Sequence, residues 1–303
     1  MHRSILHPLL ALSLALPSAP AAPGEFKPSE TSAKATWFAH LNIDRLRNSE
    51  VGKQLIAGLD GEAERNLRQF ERMLNFHPID DLESATVYGT SSDPEEAVAL
   101  LRGTFDTERL TGVAKDSDAY QPVAHPKSTI HSWDDQGKRI YATIANDRLI
   151  IIGPELDLLR TATDVVHGDS PPLDPETIYG HAGAGPAPII VASANLGALG
   201  SLNIDSKLVG KVKAIYISAG ELDGKLLAYA ALRTADPRSA KLVDQMLHGV
   251  LALAEVSEQV PPEVIEAFKT KLDGSGISVN VSLSLKKFKE LVAALEKTAE
   301  GLK

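Results

Sequence analysis

Residues 128–168, STIHSWDDQGKRIYATIANDRLIIIGPELDLLRTATDVVHG, read as a meander of strands that runs into a helix. Ile140, Ala142 and Ile144 alternate with Tyr141, Thr143 and Ala145, and a period of two lays one face of a strand on a core. The Ile140, Ala142 and Ile144 face is the one expected inward. Asp134-Asp135-Gln136-Gly137 and Asn146-Asp147 are the turns, because Asn and Asp tolerate positive φ and Gly has no Cβ to clash. Leu149 to Ile152 is apolar throughout, as expected of a strand covered on both faces. At Gly153-Pro154-Glu155 the period changes, and Leu156, Leu159, Thr163 and Val166 follow at helical spacing.

Upstream, residues 35–43 read as a strand with Trp37, Ala39 and Leu41 on one face, and Asp44 is the expected cap of the next helix. Helical spacing covers 48–59 and 62–74, strands cover 84–90 and 97–105, and Asp106 opens a helix that ends near Lys115. Residues 120–127 form a Pro-bearing connection. Downstream, 189–194 is a strand, 212–220 and 226–233 are a hairpin about Asp223-Gly224, and helices are expected over 236–272. Ile277, Val279, Val281 and Leu283 then alternate inward, and Ser284 caps a last helix with Leu285, Phe288, Leu291, Val292 and Leu295 on one stripe.

The two halves share an element order. Residues 35–43 stand against 189–196, Thr86-Val87-Tyr88 against Ala214-Ile215-Tyr216, and the joint from Leu101 to Asp106 against the one from Leu232 to Asp236. The expected class is therefore α+β, with two diverged copies of a mostly antiparallel sheet carrying helices. The expected organisation is a signal peptide at 1–21, a disordered lead-in at 22–33 and a first repeat at 34–168. A Pro/Gly-rich linker at 169–187 and a second repeat at 188–303 complete it.

The signal peptide is expected because Met1-His2-Arg3 is basic, residues 5–16 are apolar, and Ala19-Pro20-Ala21 fits a cleavage site of small residues. The mature chain is expected to be exported, periplasmic or secreted, without a membrane-spanning segment. A net charge of −9 with basic residues interspersed among acidic ones argues against nucleic acid as a partner. The chain has no cysteine, which excludes disulfides, thiolate catalysis and Cys-ligated zinc.

Leu101-Arg102-Gly103-Thr104-Phe105-Asp106, Ile130-His131-Ser132-Trp133 and Ile151-Ile152-Gly153 before Leu158-Leu159-Arg160 carry a resemblance. Over residues 35–168 the chain resembles uncharacterised exported bacterial proteins of the domain-of-unknown-function kind. That resemblance implies an exported α+β protein and brings no catalytic residues.

Chemistry-bearing residues are sparse. Of the histidines beyond the signal segment (His40, His77, His125, His131, His167, His181, His248), no two have the i, i+4 spacing that would turn both imidazoles to one metal on a helix. His131 and Trp133 share one strand face and are the candidate ligand-binding pair, although an ordinary cross-strand pair explains them too. Gly168-Asp169-Ser170 has the letters of a lipase serine block but not its strand context. Gly180, Gly183 and Gly185 precede a strand, whereas a phosphate cradle precedes a helix. Asp80, Asp81 and Glu83 lack the alternating ligands of a calcium loop. Neither a catalytic set, a metal site nor a cofactor is expected, and the protein is not expected to be an enzyme. The preferred class is a binding module for another envelope protein or envelope component. The alternatives are a carrier of an apolar ligand such as lipid, seated between the sheet and helices 236–272, and a hydrolase whose site is not visible in sequence.

Overall fold

The computed structural model describes residues 24–59, 61–74, 76–93, 96–135, 137–175, 188–198, 211–256 and 262–290. The expected signal peptide, most of the expected linker with His181, Gly180, Gly183 and Gly185, and Leu291, Val292 and Leu295 lie outside them. Apolar residues at a spacing of two build the strands β1 (Trp37–Asn42), β2 (Leu82–Gly89), β3 (Ala97–Gly103), β4 (Gln121–Ala124), β5 (Thr129–Asp135) and β6 (Lys138–Asn146). The strands β7 (Leu149–Gly153), β8 (Ile190–Asn195), β9 (Val212–Leu222), β10 (Lys225–Thr234), β11 (Phe268–Asp273) and β12 (Gly276–Ser284) follow. The helices are α1 (Ile43–Asn48), α2 (Glu50–Ala57), α3 (Gly61–Leu74), α4 (Thr107–Lys115), α5 (Leu156–Val166), α6 (Pro237–Val256) and α7 (Pro262–Glu266).

Among the described residues, 12 strands make one sheet, ordered β11-β12-β10-β9-β8-β1-β2-β3-β7-β6-β5-β4. Every neighbouring pair is antiparallel. The class is α+β. The halves meet edge to edge where β1 pairs β8, with Ala39 opposite Ala192. Outward from that pair the order is β1-β2-β3-β7-β6-β5-β4 one way and β8-β9-β10-β12-β11 the other, so the first five positions correspond and the first half carries β5 and β4 beyond them. In the first half α4 follows the third strand, the four strands β4 to β7 follow it and α5 comes next; in the second α6 and α7 follow the third strand, the β11–β12 hairpin follows them and residues 285–290 are helical after it.

The sheet has two unlike faces. On the front, Phe38, Tyr88, Val98, Leu100, Ile130, Leu149 and Ile151 are buried with Leu159 and Ala162 of α5. On the back, Leu41, Ala85 and Leu101 pack with Ile43, Phe76 and Phe105, while Leu232 and Ile277 pack under Ala240 and Val243 of α6. Capping matches the local sequence: Asp106 accepts the Arg109 N–H of α4 at 3.0 Å, and Ser284 accepts the Lys287 N–H at 3.3 Å.

Five expectations change. Ile140, Ala142 and Ile144 lie on the half-open back, and Tyr141 and Ala145 pack on the front core instead, because α5 covers that side. For the same reason β7 is not covered on both faces: Leu149 and Ile151 are buried, whereas Ile150 and Ile152 are only half-buried. The cap of the first helix is Asn42, whose side chain accepts the Arg45 N–H at 2.8 Å, and Asp44 instead pairs with Arg47 inside the first turn. Phe268–Asp273 is an edge strand rather than helix, since Phe268, Thr270 and Leu272 alternate with Lys269 and Lys271 and pair along β12. Gln121–Ala124 is likewise an edge strand, and an edge tolerates the missing N–H of Pro122.

The supposed lead-in is ordered from Gly24 onward. Phe26 stacks on Phe38 with ring centroids 4.2 Å apart, Glu30 takes the Arg102 guanidinium at 2.5 Å, and Thr31 and Ser32 are buried. Residues 171–173 hold it through backbone bonds from Ala33 N–H to Pro171 O at 3.1 Å and from Leu173 N–H to Thr31 O at 2.7 Å. The described start of the expected linker is therefore part of the packed structure, with Leu173 buried in the front core. A polar, Pro-bearing composition hides this, because the anchors are one aromatic ring, one ion pair and the backbone itself.

Candidate functional site

His131 projects from the back of β5 toward α4. Between these two elements lies an open groove of about 540 Å³ lined by Glu108, Thr111, Lys115, Ser128, His131 and Ile144 among others. The Tyr120 hydroxyl lies 3.0 Å from His131 Nδ1, with the two rings roughly parallel. Burial, and secondarily the charge of Lys115, pulls the imidazole below its ordinary range, so it stays neutral at pH 7. Trp133 shares the strand face but is not part of the groove lining; its register partner is Ile140.

His125 and Asp164 form a pair that sequence reasoning missed. Nε2 lies 3.1 Å from the carboxylate, and the imidazole is almost wholly buried. Asp169 pairs with Lys127 at 2.7 Å, and Ser170 meets Asp164 only through its backbone N–H, 3.3 Å from the Asp164 carbonyl. The letters of the serine block thus build a helix-end turn. Asp81 accepts the His77 N–H at 2.6 Å and Glu83 pairs with Arg148, which accounts for two of the three acidic residues near 80. Among the described residues no group of three or more His, Asp or Glu is placed to hold a metal.

A larger concavity than the α4 groove lies on the front of the second half, beyond the reach of α5. Register carries one row of front-facing residues across five strands: Ser193, Tyr216, Ala231, Ser278 and Lys271. The next row is Val191, Ser218, Tyr229, Asn280 and Lys269. Mostly short side chains make a low floor between the lysines of β11 and the packed pair Tyr216 and Tyr229, whose ring centroids lie 6.1 Å apart. Pro172 to Asp174 and Ala33, Ala35 and Thr36 contribute to its lining, enclosing a trough of about 770 Å³. Past Tyr229 it continues into a smaller hollow of about 220 Å³ bounded by Pro188, Gly220, Leu227 and Ser282. Burial pushes the Tyr216 hydroxyl up from its ordinary range, against a lowering hydrogen bond with Ser218, so it remains a neutral donor. The expected seat of an apolar ligand, between the sheet and helices 236–272, is not where this trough lies, since α6 packs on the back.

The fold and this trough define an α+β protein built on one antiparallel sheet, with a ligand-sized hollow on one face. No family model matches the chain, and no curated protein matches it. Among solved structures it is similar to TP0453 in crystal form III, at 10% identity and TM-score 0.47, over 91% of this chain and 99% of that one. It is also similar to TP0453 in crystal form I, at 10% identity and TM-score 0.46, over 89% and 98%. Among the described residues no helix is long and apolar enough to cross a membrane.

Proposed function

We propose that the chain is an exported, non-catalytic binding module of the cell envelope, built from two copies of one α+β unit, that docks another envelope protein on α6. The matching strand order of the halves supports the copies, and the basic, apolar and small-residue series at the start supports export. One observation carries the docking. Ala240, Val243 and Leu247 of α6 pack on the sheet, and beside them Leu242, Met246, Val250 and Leu253 form a second apolar stripe left in water, with Leu253 72% exposed. An unpaired helix carries polar residues there, and a contiguous apolar patch marks a contact surface.

A photo-crosslinking residue at position 253, in protein produced in its native host, should give one discrete envelope-protein adduct. Val250→Glu should abolish that adduct without lowering the melting temperature, because Val250 is exposed. The mature chain in the same fraction should begin near Ala22. Adducts indistinguishable from those made at the exposed hairpin residue Lys225 would remove the docking reading, and an intact Met1 in a cytoplasmic fraction would remove export. The front trough favours a second reading, a carrier of an apolar ligand, because it has the volume of a small-molecule site, about 300–1,000 Å³.

A further inference from the structure

We infer that the front trough binds a single-chain anionic amphiphile, such as a long-chain carboxylate, with its chain on the floor beneath Tyr216 and Tyr229 and its head among Lys213, Arg233 and Lys271. The inference rests on the carrier reading and adds the charge and polarity of the ligand. The floor interleaves the apolar Ala214, Ala231 and tyrosine rings with the hydroxyls of Ser193 and Ser278, which suits a slender amphiphile rather than a wholly apolar ligand.

The rim supplies the second half of the complementarity. Lys213, Arg233 and Lys271 all border the trough, and among the described residues none of them has an ion-pair partner. Two carboxylates, Asp174 and Asp273, border it as well, so the rim is cationic by three charges to two. The nearer of these to Arg233 along the register is Asp273, which faces Gly276, which faces Arg233. Two strand spacings, about 10 Å, separate their backbones. Arg233 is thus left to an incoming anion. A guanidinium presents a fork that meets a carboxylate with two hydrogen bonds, while the lysines contribute point charges that draw the head to the mouth of the trough.

Equilibrium dialysis of the full mature chain with laurate and with dodecanol separates the two layers of this inference. The expected result is laurate binding at least tenfold tighter than dodecanol, weakening as salt rises. Combined Arg233→Ala, Lys213→Ala and Lys271→Ala should erase that preference and leave dodecanol binding unchanged. Ala231→Trp, which fills the floor, should remove both ligands, and Ser278→Trp should repeat the effect if Ala231→Trp lowers the melting temperature. Equal binding of the two ligands, insensitive to the triple substitution, would overturn the anionic assignment and leave the carrier reading standing. Failure of both ligands to bind, or binding untouched by both tryptophan variants, would overturn the carrier reading together with it.

Discussion

Ile151→Asp is expected to destabilise the chain by about 4 kcal/mol or more, a large share of the roughly 5–15 kcal/mol that holds a typical domain folded. Ile151 is 0% exposed, sits between Leu100 of β3 and Thr143 of β6, and belongs to the front core with Leu159 of α5. A carboxylate there has no cation among those neighbours, and the lost side chain also leaves a cavity, which by itself costs about 2–5 kcal/mol for a large-to-small change. The neighbour on the same strand is the control. Ile152 points to the half-open back, so Ile152→Asp keeps contact with water and should cost less than half as much. Thermal melting should separate the two variants by about 5 °C or more, at roughly 2–4 °C per kcal/mol for a chain of this size. A larger loss at Ile152 than at Ile151 would mean that front and back have been exchanged along β7, and equal melting temperatures would mean that both faces are covered alike.

That comparison also shows where the sequence is legible. The β7 to α5 joint is plain in it, because Gly153-Pro154 breaks one period and starts another, and β12 is plain because every second residue from Ile277 to Leu283 is apolar. The inward face of β6 is not, since Ile140-Ala142-Ile144 and Tyr141-Thr143-Ala145 are both apolar enough to cover a core. What decides between them is the side on which α5 lands, a tertiary fact. Residues 268–273 fail differently, because Glu266, Ala267, Lys269 and Lys271 have helical propensity and only pairing with β12 overrides it.

The candidate site is less legible still. Ser193, Tyr216, Ala231 and Ser278 come from four strands and meet only because the antiparallel register aligns them, so no local spacing announces the trough. His125 and Asp164 are 39 residues apart and meet for a similar reason. His131 was findable because its strand is amphipathic on its own. The reach of its face toward α4 was not, since it depends on a helix that leaves the sheet after β3 and returns over β5.

Acidification from pH 7.5 to 5 is expected to cost the chain about 2 kcal/mol through His40 alone, and this loss should be absent from His40→Gln. His40 is 3% exposed, its Nε2 lies 2.9 Å from the Gly24 carbonyl and its Nδ1 lies 2.8 Å from the Thr86 hydroxyl. A neutral ring satisfies both, with Nε2–H donating to the carbonyl and Nδ1 accepting from the hydroxyl. Burial pushes its pKa down from 6.5 to about 4, against smaller upward contributions from the Gly24 carbonyl and the charge of Glu25. A lowered folded pKa means that the unfolded chain binds the proton first. The folded state therefore keeps full stability above about pH 6.5, loses it progressively as the pH falls, and stops losing it below about pH 4. Urea midpoints of both proteins at pH 7.5, 6 and 5 measure the difference, with the variant supplying the titration of every other group. A wild-type curve parallel to that of the variant would show that His40 titrates normally. Because the same imidazole ties Gly24 to β1, beside the stack of Phe26 on Phe38, the amino-terminal segment should be the first part to gain hydrogen exchange as the pH is lowered.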